Sequence, residues 1–130
     1  MLKAYVAILF IFCTIDFFWV GIIAKQWYNK ELGDLLVDSI RWLPVIGFYL
    51  LYAAAILVFA VIPSIKLGSW QHALFYGAFL GLITYAAYDL TNLATLKNWP
   101  VLLALCDLCW GTFVTAITSL ILFHLQKLFF

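Results

Sequence analysis

Four apolar runs occupy most of this chain, at residues 4–24, 43–62, 73–93 and 100–122. A helix rising 1.5 Å per residue needs about 20 such residues to cross ~30 Å of hydrocarbon, and each run supplies them. Backbone N–H and C=O groups in lipid must be satisfied within the segment, which leaves helices as the structure available to runs of this length. With 68% apolar and 10% charged residues in 130, the chain has too little polar surface to cover a soluble core. The expected fold is therefore all-α: an integral membrane four-helix bundle forming one domain over residues 1–130.

The ends of the runs carry suitable punctuation. Pro44 falls in the first turn of the second run, Pro63 is expected to close it, and Pro100 opens the fourth. Trp27, Tyr28, Trp42, Trp70 and Trp99 stand at boundaries, as an interfacial aromatic belt requires. The first run is longer than a signal-peptide core and is followed by no A-x-A-like site, so it is expected to be retained. In residues 25–41, Leu32, Leu35, Leu36 and Ile40 recur at helical spacing, which predicts a short amphipathic helix lying in the interface. Gly33 weakens that helix.

Three of the six acidic residues lie inside the apolar runs: Asp16, Asp89 and Asp107. A carboxylate at the bilayer centre costs roughly 2.5–3.5 kcal/mol on insertion scales, so such a residue faces the protein interior, pairs or gives up its charge. Helical rise places Asp16 about 12 Å and Asp107 about 10 Å from the same interface. Asp89 is shallower in the same half, and Arg41 precedes the second run on that side. All the intramembrane acids thus converge on one half of the bilayer, with the nearest Arg as their expected cation.

Local patterns single out further candidates. Asp16 and Asp107 each begin a D-x-x-W, placing Trp19 and Trp110 one helical turn from a carboxylate. The repeat is consistent with pseudo-symmetry between antiparallel spans or with coincidence in a Trp-rich sequence. Tyr85, Tyr88, Asp89 and Asn92 share one face of the third run. Gly77 and Gly81 form a G-x-x-x-G, and Asp107, Gly111, Thr115 and Thr118 make a similar stripe on the fourth. These two stripes are expected to face one another, with Tyr, Thr and Asn hydrogen-bonding between helices. The ligand- or proton-site candidates are Asp16, Asp89, Asp107, Asn92, Tyr88, Tyr85, Trp19, Trp110 and Arg41.

Taken together these residues resemble a known family. Asp16, Trp19 and Gly21 lead into Lys25, Trp27 and Tyr28, then Arg41 and Pro44, F-Y-L-x-Y from Phe48, and G-A-F-x-G-L from Gly77. Y-D-L-T-N-x-A-T-L from Tyr88, the Trp99–Pro100 pair, and Asp107 with Trp110 and Gly111 complete the set. The chain is similar over nearly its whole length to the predicted membrane proteins of domain of unknown function 2177. That resemblance implies a four-span architecture and brings no established activity, substrate or cofactor.

Other site chemistry is thin. Cys106 and Cys109 form a C-x-x-C within a span and read as buried apolar thiols. His72 and His124 lie near the opposite interface, so no metal centre is expected, and no cofactor is implied. A net charge of +1 offers no basic face for nucleic acid. Three function classes stay open: binding or transport of a small ligand, cation or proton; a small membrane enzyme using paired aspartates as acid and base on a lipid or other hydrophobic substrate; and an accessory subunit of a membrane complex. The expected partners are membrane lipid, an unidentified small ligand or cation, and further copies of the chain, since four helices enclose little space for a conduit.

Four spans put both termini on one side, with Lys3, Lys66 and Lys127, against Lys25, Lys30, Arg41 and Lys97 on the other. This near-tie by the positive-inside rule leans to cytoplasmic termini in a bacterial inner membrane, because the terminal side carries no acid. Single cysteines at both termini should react with a membrane-impermeant reagent from one side, and one in residues 25–41 from the other. Labelling of both regions from the same side would contradict this topology.

Overall fold

The computed structural model describes residues 1–130 throughout, and it is all-α. Four helices are long and apolar enough to cross a membrane: α1 (Leu2–Ile23), α3 (Trp42–Leu67), α4 (Trp70–Thr95) and α5 (Val101–His124). Between the first two lies α2 (Lys25–Leu32), and α6 (Gln126–Phe129) follows the last. Mean hydropathy is 2.5 and 2.6 for α1 and α3 but 1.3 for α4, whose Tyr, Asp, Thr and Asn side chains dilute its apolar character.

The helix against which the others pack is α5. Buried residues make up 44% of its apolar window, against 17–33% for the other three. Its main partner is α4. On α4 the buried row is Ala73, Gly77, Gly81 and Asp89, stepping by four with Tyr85 in line. On α5 the facing row runs Asp107, Gly111, Thr115 and Ser119. A Cβ at Gly77 would strike Ser119, one at Gly81 would strike the Gly111 carbonyl, and one at Gly111 would strike the Tyr85 ring. The two ridges therefore interlock antiparallel at backbone contact, the close approach that small residues permit in membranes. Continuing the same step brings Asp89 against Asp107.

The apolar core lies toward the terminal end of the bundle. There Ala4, Ile8 and Phe12 of α1 meet Tyr52, Ala53, Ile56 and Val61 of α3 and Val114 and Leu122 of α5. Asp16 continues the buried i, i+4 row of α1. Most hydroxyls are satisfied within their own helix: Thr84, Thr112, Thr118 and Ser119 donate to carbonyls four residues back. The expected interhelical network of threonines reduces to one bond, Tyr52 to Thr115 at 2.7 Å.

Pro63 does not close the second span. The helix passes through it to Leu67 and stops at Gly68, whose φ of 62° is the left-handed cap that glycine favours. A π-helical stretch, Ile56–Val61, precedes the proline and shifts the hydrogen-bond register, so the missing N–H is absorbed locally. The α4 helix begins conventionally, with the Ser69 hydroxyl accepting from the His72 N–H at 3.2 Å.

The interfacial helix is shorter than its leucine spacing predicts. It ends at Leu32, because Gly33 has φ 36° and turns the chain into a 3₁₀ turn, Gly33–Leu35. Leu35, Leu36 and Ile40 are exposed, while Leu32 is buried with Trp99, Leu103 and Ala104. That small cluster docks α2 over the start of α5.

Replacing Gly81 by Val should destabilise the folded protein by about 1–3 kcal/mol or prevent its folding, because α4 cannot back away from α5 without unpacking the ridge. Gly47→Val is the control, since nothing lies within 4 Å of a Cβ there. Thermal unfolding in detergent should separate the two, and equal midpoints would contradict the ridge packing.

Candidate functional site

The three intramembrane carboxylates are buried and lie at one end of the bundle: Asp16 is 4% exposed, Asp107 6% and Asp89 0%. Each occupies the inward row of its helix, so the site follows from the same spacing that builds the core. Their surroundings differ in a way that spacing alone does not reveal.

Asp16 is fully provided with donors. Tyr49 of α3 donates to Oδ2 at 2.5 Å, and Trp110 of α5 donates its indole N–H to Oδ1 at 2.9 Å. Tyr85 of α4 reaches Oδ1 at 3.5 Å, a longer and weaker contact. One carboxylate thus ties α1 to the other three spans. Asp107 receives the phenol of Tyr28, and Tyr28 in turn accepts the indole N–H of Trp19 at 3.3 Å. Burial, reinforced by the Asp107 carboxylate, pushes the Tyr28 phenol well above its usual range, so it serves as a fixed proton donor.

The two D-x-x-W motifs are therefore crossed. Neither indole bonds the aspartate of its own helix: Trp110 serves Asp16 directly, and Trp19 serves Asp107 through Tyr28. The two indoles stack between the pairs, with centroids 4.8 Å apart and planes 12° from parallel. Side chains three residues apart on a helix lie side by side, which directs each indole outward to the neighbouring helix.

Asp89 is the exception. It lies against Asp107 and the Trp99 indole, but neither contact reaches hydrogen-bond geometry, and it stands behind the cavity wall and not on it. Buried polar atoms without partners are rare in native structures. Every donor to the other two carboxylates is a Tyr or a Trp, and none is a cation.

Asp16, Asp107, Tyr28, Tyr49, Trp19 and Trp110 line a cavity of about 710 Å³, which Tyr85, Tyr88, Trp99 and Lys25 help enclose. Tyr88 is 56% exposed and meets Trp99 edge to face. Asn92 is half-buried beside the Tyr88 phenol and does not reach the cavity wall.

Arg41, the expected cation of the cluster, is exposed and outside the wall. It sits in extended backbone just before α3, φ −85° and ψ 98°, where a long side chain is free to reach the headgroups. Lys25 lines the cavity in its stead. The C-x-x-C thiols are not core groups either. Cys109 is exposed and Cys106 partly so, because Asp107 takes the inward position and its neighbours turn toward lipid. No group of three His, Cys, Asp or Glu side chains is placed to hold a metal ion.

Tyr28 and Tyr49 are the donors that sequence reasoning overlooked. In the sequence Tyr28 reads as part of the interfacial belt, and Tyr49 sits in the apolar F-Y-L-L-Y stretch. The available signal was a phenol placed at the depth of a carboxylate.

Buried carboxylates held by aromatic donors inside four apolar helices define a polytopic α-helical membrane protein with an intramembrane polar site. The chain belongs to the DUF2177 family, described as predicted membrane protein, whose model matches residues 1–124. Neither the curated proteins nor the solved structures contain a match to it.

Tyr28→Phe and Trp110→Phe keep the rings and remove the donors, so each should destabilise the fold by about 1–3 kcal/mol. Tyr76→Phe, on an exposed phenol, should stay within about 0.5 kcal/mol of wild type. Chemical unfolding in mixed micelles would measure this, and three equal values would contradict the assigned donor roles.

Proposed function

We propose that this protein binds or transports a small cationic ligand, a cation or a proton at the aspartate-lined cavity. The single observation that carries this reading is the carboxyl pair itself: Asp107 lines the cavity, and Asp89, fully buried, is set directly behind it. Two acids this close in an apolar interior do not both keep an uncompensated charge. A proton shared between them, or a cation seated against them, supplies the compensation that Arg41 does not.

The neighbouring groups suit an exchangeable occupant. Tyr28 and Trp19 hold Asp107 from one side with neutral donors, which fixes its position without cancelling its charge. Asp16, with its own three donors, needs no ligand and acts as the structural corner of the cavity. Lipid surrounds the protein in this reading, both termini are cytoplasmic in a bacterial inner membrane, and a continuous conduit is built from several copies.

A second reading, acid–base catalysis on a lipid or other hydrophobic substrate, draws support from the unequal surroundings of the aspartates. Asp89 has no donor while Asp107 accepts the Tyr28 phenol, the kind of asymmetry that separates an acid from a base in paired-carboxyl sites.

Asp107→Asn retains shape and most hydrogen bonding but breaks the carboxyl pair. Infrared difference spectra between wild type and this variant in bilayers isolate the pair's signal. The expected result is a carboxyl band that responds to methylammonium, Na⁺ or K⁺ or to proton exchange, and that is absent from a folded variant. Carboxyl bands that titrate like exposed groups and ignore every added cation would overturn the proposal.

A further inference from the structure

Resting on that binding reading, we infer that the occupant is a single-chain amphiphile with a primary ammonium head, entering sideways from the bilayer between α3 and α4. The entry path is a second cavity of about 630 Å³ that shares Val45, Tyr49, Tyr85 and Tyr88 with the first. Pro44 and Phe48 of α3 and Thr84 of α4 extend it between those two helices. Where a four-helix bundle would normally interdigitate side chains, α3 and α4 leave a cleft.

The cleft has a cause in the packing. The main contact of α3 with α4 runs through the π-helical Ile56–Val61 stretch, whereas the Trp42–Ala55 stretch packs on α1. A π turn re-aims a helix, and here Pro63 follows it directly. The two spans therefore meet at their far ends and part toward the aspartates. Tyr49 and Tyr85 stand where the cleft joins the main cavity, and both contact Asp16.

The lining selects the occupant. Of the 20 residues around the main cavity 15 are apolar, and of the seven around the cleft five are. A hydrated ion gains little from such walls, and a plain hydrocarbon has no use for carboxylates. An ammonium head answers the charge at the inner end: Asp107 stands on the cavity wall with Asp89 buried directly behind it, and no cation is among the donors to either. A chain leaving through the cleft stays in hydrocarbon, so it adds access from the membrane while the head provides selectivity.

A long-chain primary amine carrying a diazirine on its chain tests this in nanodiscs of phosphatidylcholine. Light-induced adducts should map to the peptides bearing Pro44–Tyr49 and Thr84–Tyr88. Excess dodecylammonium should remove them, while dodecanol and dioleoylphosphatidylethanolamine should not. Asp107→Asn, which loses a charged partner for the head, should reduce the adducts by about tenfold. Val45→Trp, which fills the cleft and leaves the carboxylates in place, should reduce them as well. Adducts scattered over all lipid-facing helices, or competition by dodecanol, would overturn the inference. Competition by the two-chain lipid would overturn the single-chain assignment. If methylammonium perturbs the Asp107 infrared signal while the adducts remain scattered, lateral entry fails and the binding site itself survives.

Discussion

Backbone contact between α4 and α5 at Gly81 and Gly111 is the constraint on which the rest of this structure depends. A methyl group at either position would collide with the opposite helix, so the two ridges have one register available. That register runs Gly77 against Ser119, Gly81 against Gly111 and Tyr85 beside Gly111, and it ends with Asp89 against Asp107. The pairing of two carboxylates is thus built into the packing of the helices. Slipping either helix by one residue would turn its own acid off the shared face and cost the close contact at the same time.

The remaining spans are arranged around that pair by aromatic donors. Asp16 gathers Tyr49 and Trp110, so α1 is fastened to α3 and α5 at the depth of the site. The stacked indoles of Trp19 and Trp110 lie between the two hydrogen-bonded centres. At the outer end α2 is anchored by Leu32 in the Trp99 cluster, which holds Tyr28 over Asp107. Asp16 and Asp107 are held by neutral donors, an arrangement different from a closed structural ion pair, in which a countercharge compensates desolvation.

Much of the fold was legible in the sequence because lipid enforces it. Four apolar runs of sufficient length, the family resemblance and the glycine spacing each lead to the observed bundle. Boundaries were harder, since Pro63 reads as a stop unless the π-helical stretch before it is known, and Gly33 ends a helix that its leucines would continue. For the site, depth along each span placed the three aspartates in one half of the membrane. Their partners were not legible: a boundary position does not distinguish Arg41, which faces outward, from Lys25, which lines the cavity. The crossed indoles were hidden for a related reason. Sequence spacing relates residues on one helix, whereas Trp19 and Trp110 act on the neighbour, and only the assembled bundle relates them.

The central claim, that Asp89 and Asp107 form one buried carboxyl pair within the bilayer, is most directly tested by solid-state NMR of protein labelled at aspartate ¹³Cγ in lipid. Among the five aspartates, the account predicts one through-space correlation that links Asp89 to Asp107 and disappears in either Asn variant. The Asp89 signal should lack contact with water, while Asp34 and Asp38 exchange freely. Absence of that correlation, with Asp89 or Asp107 in contact with acyl chains, would contradict the account.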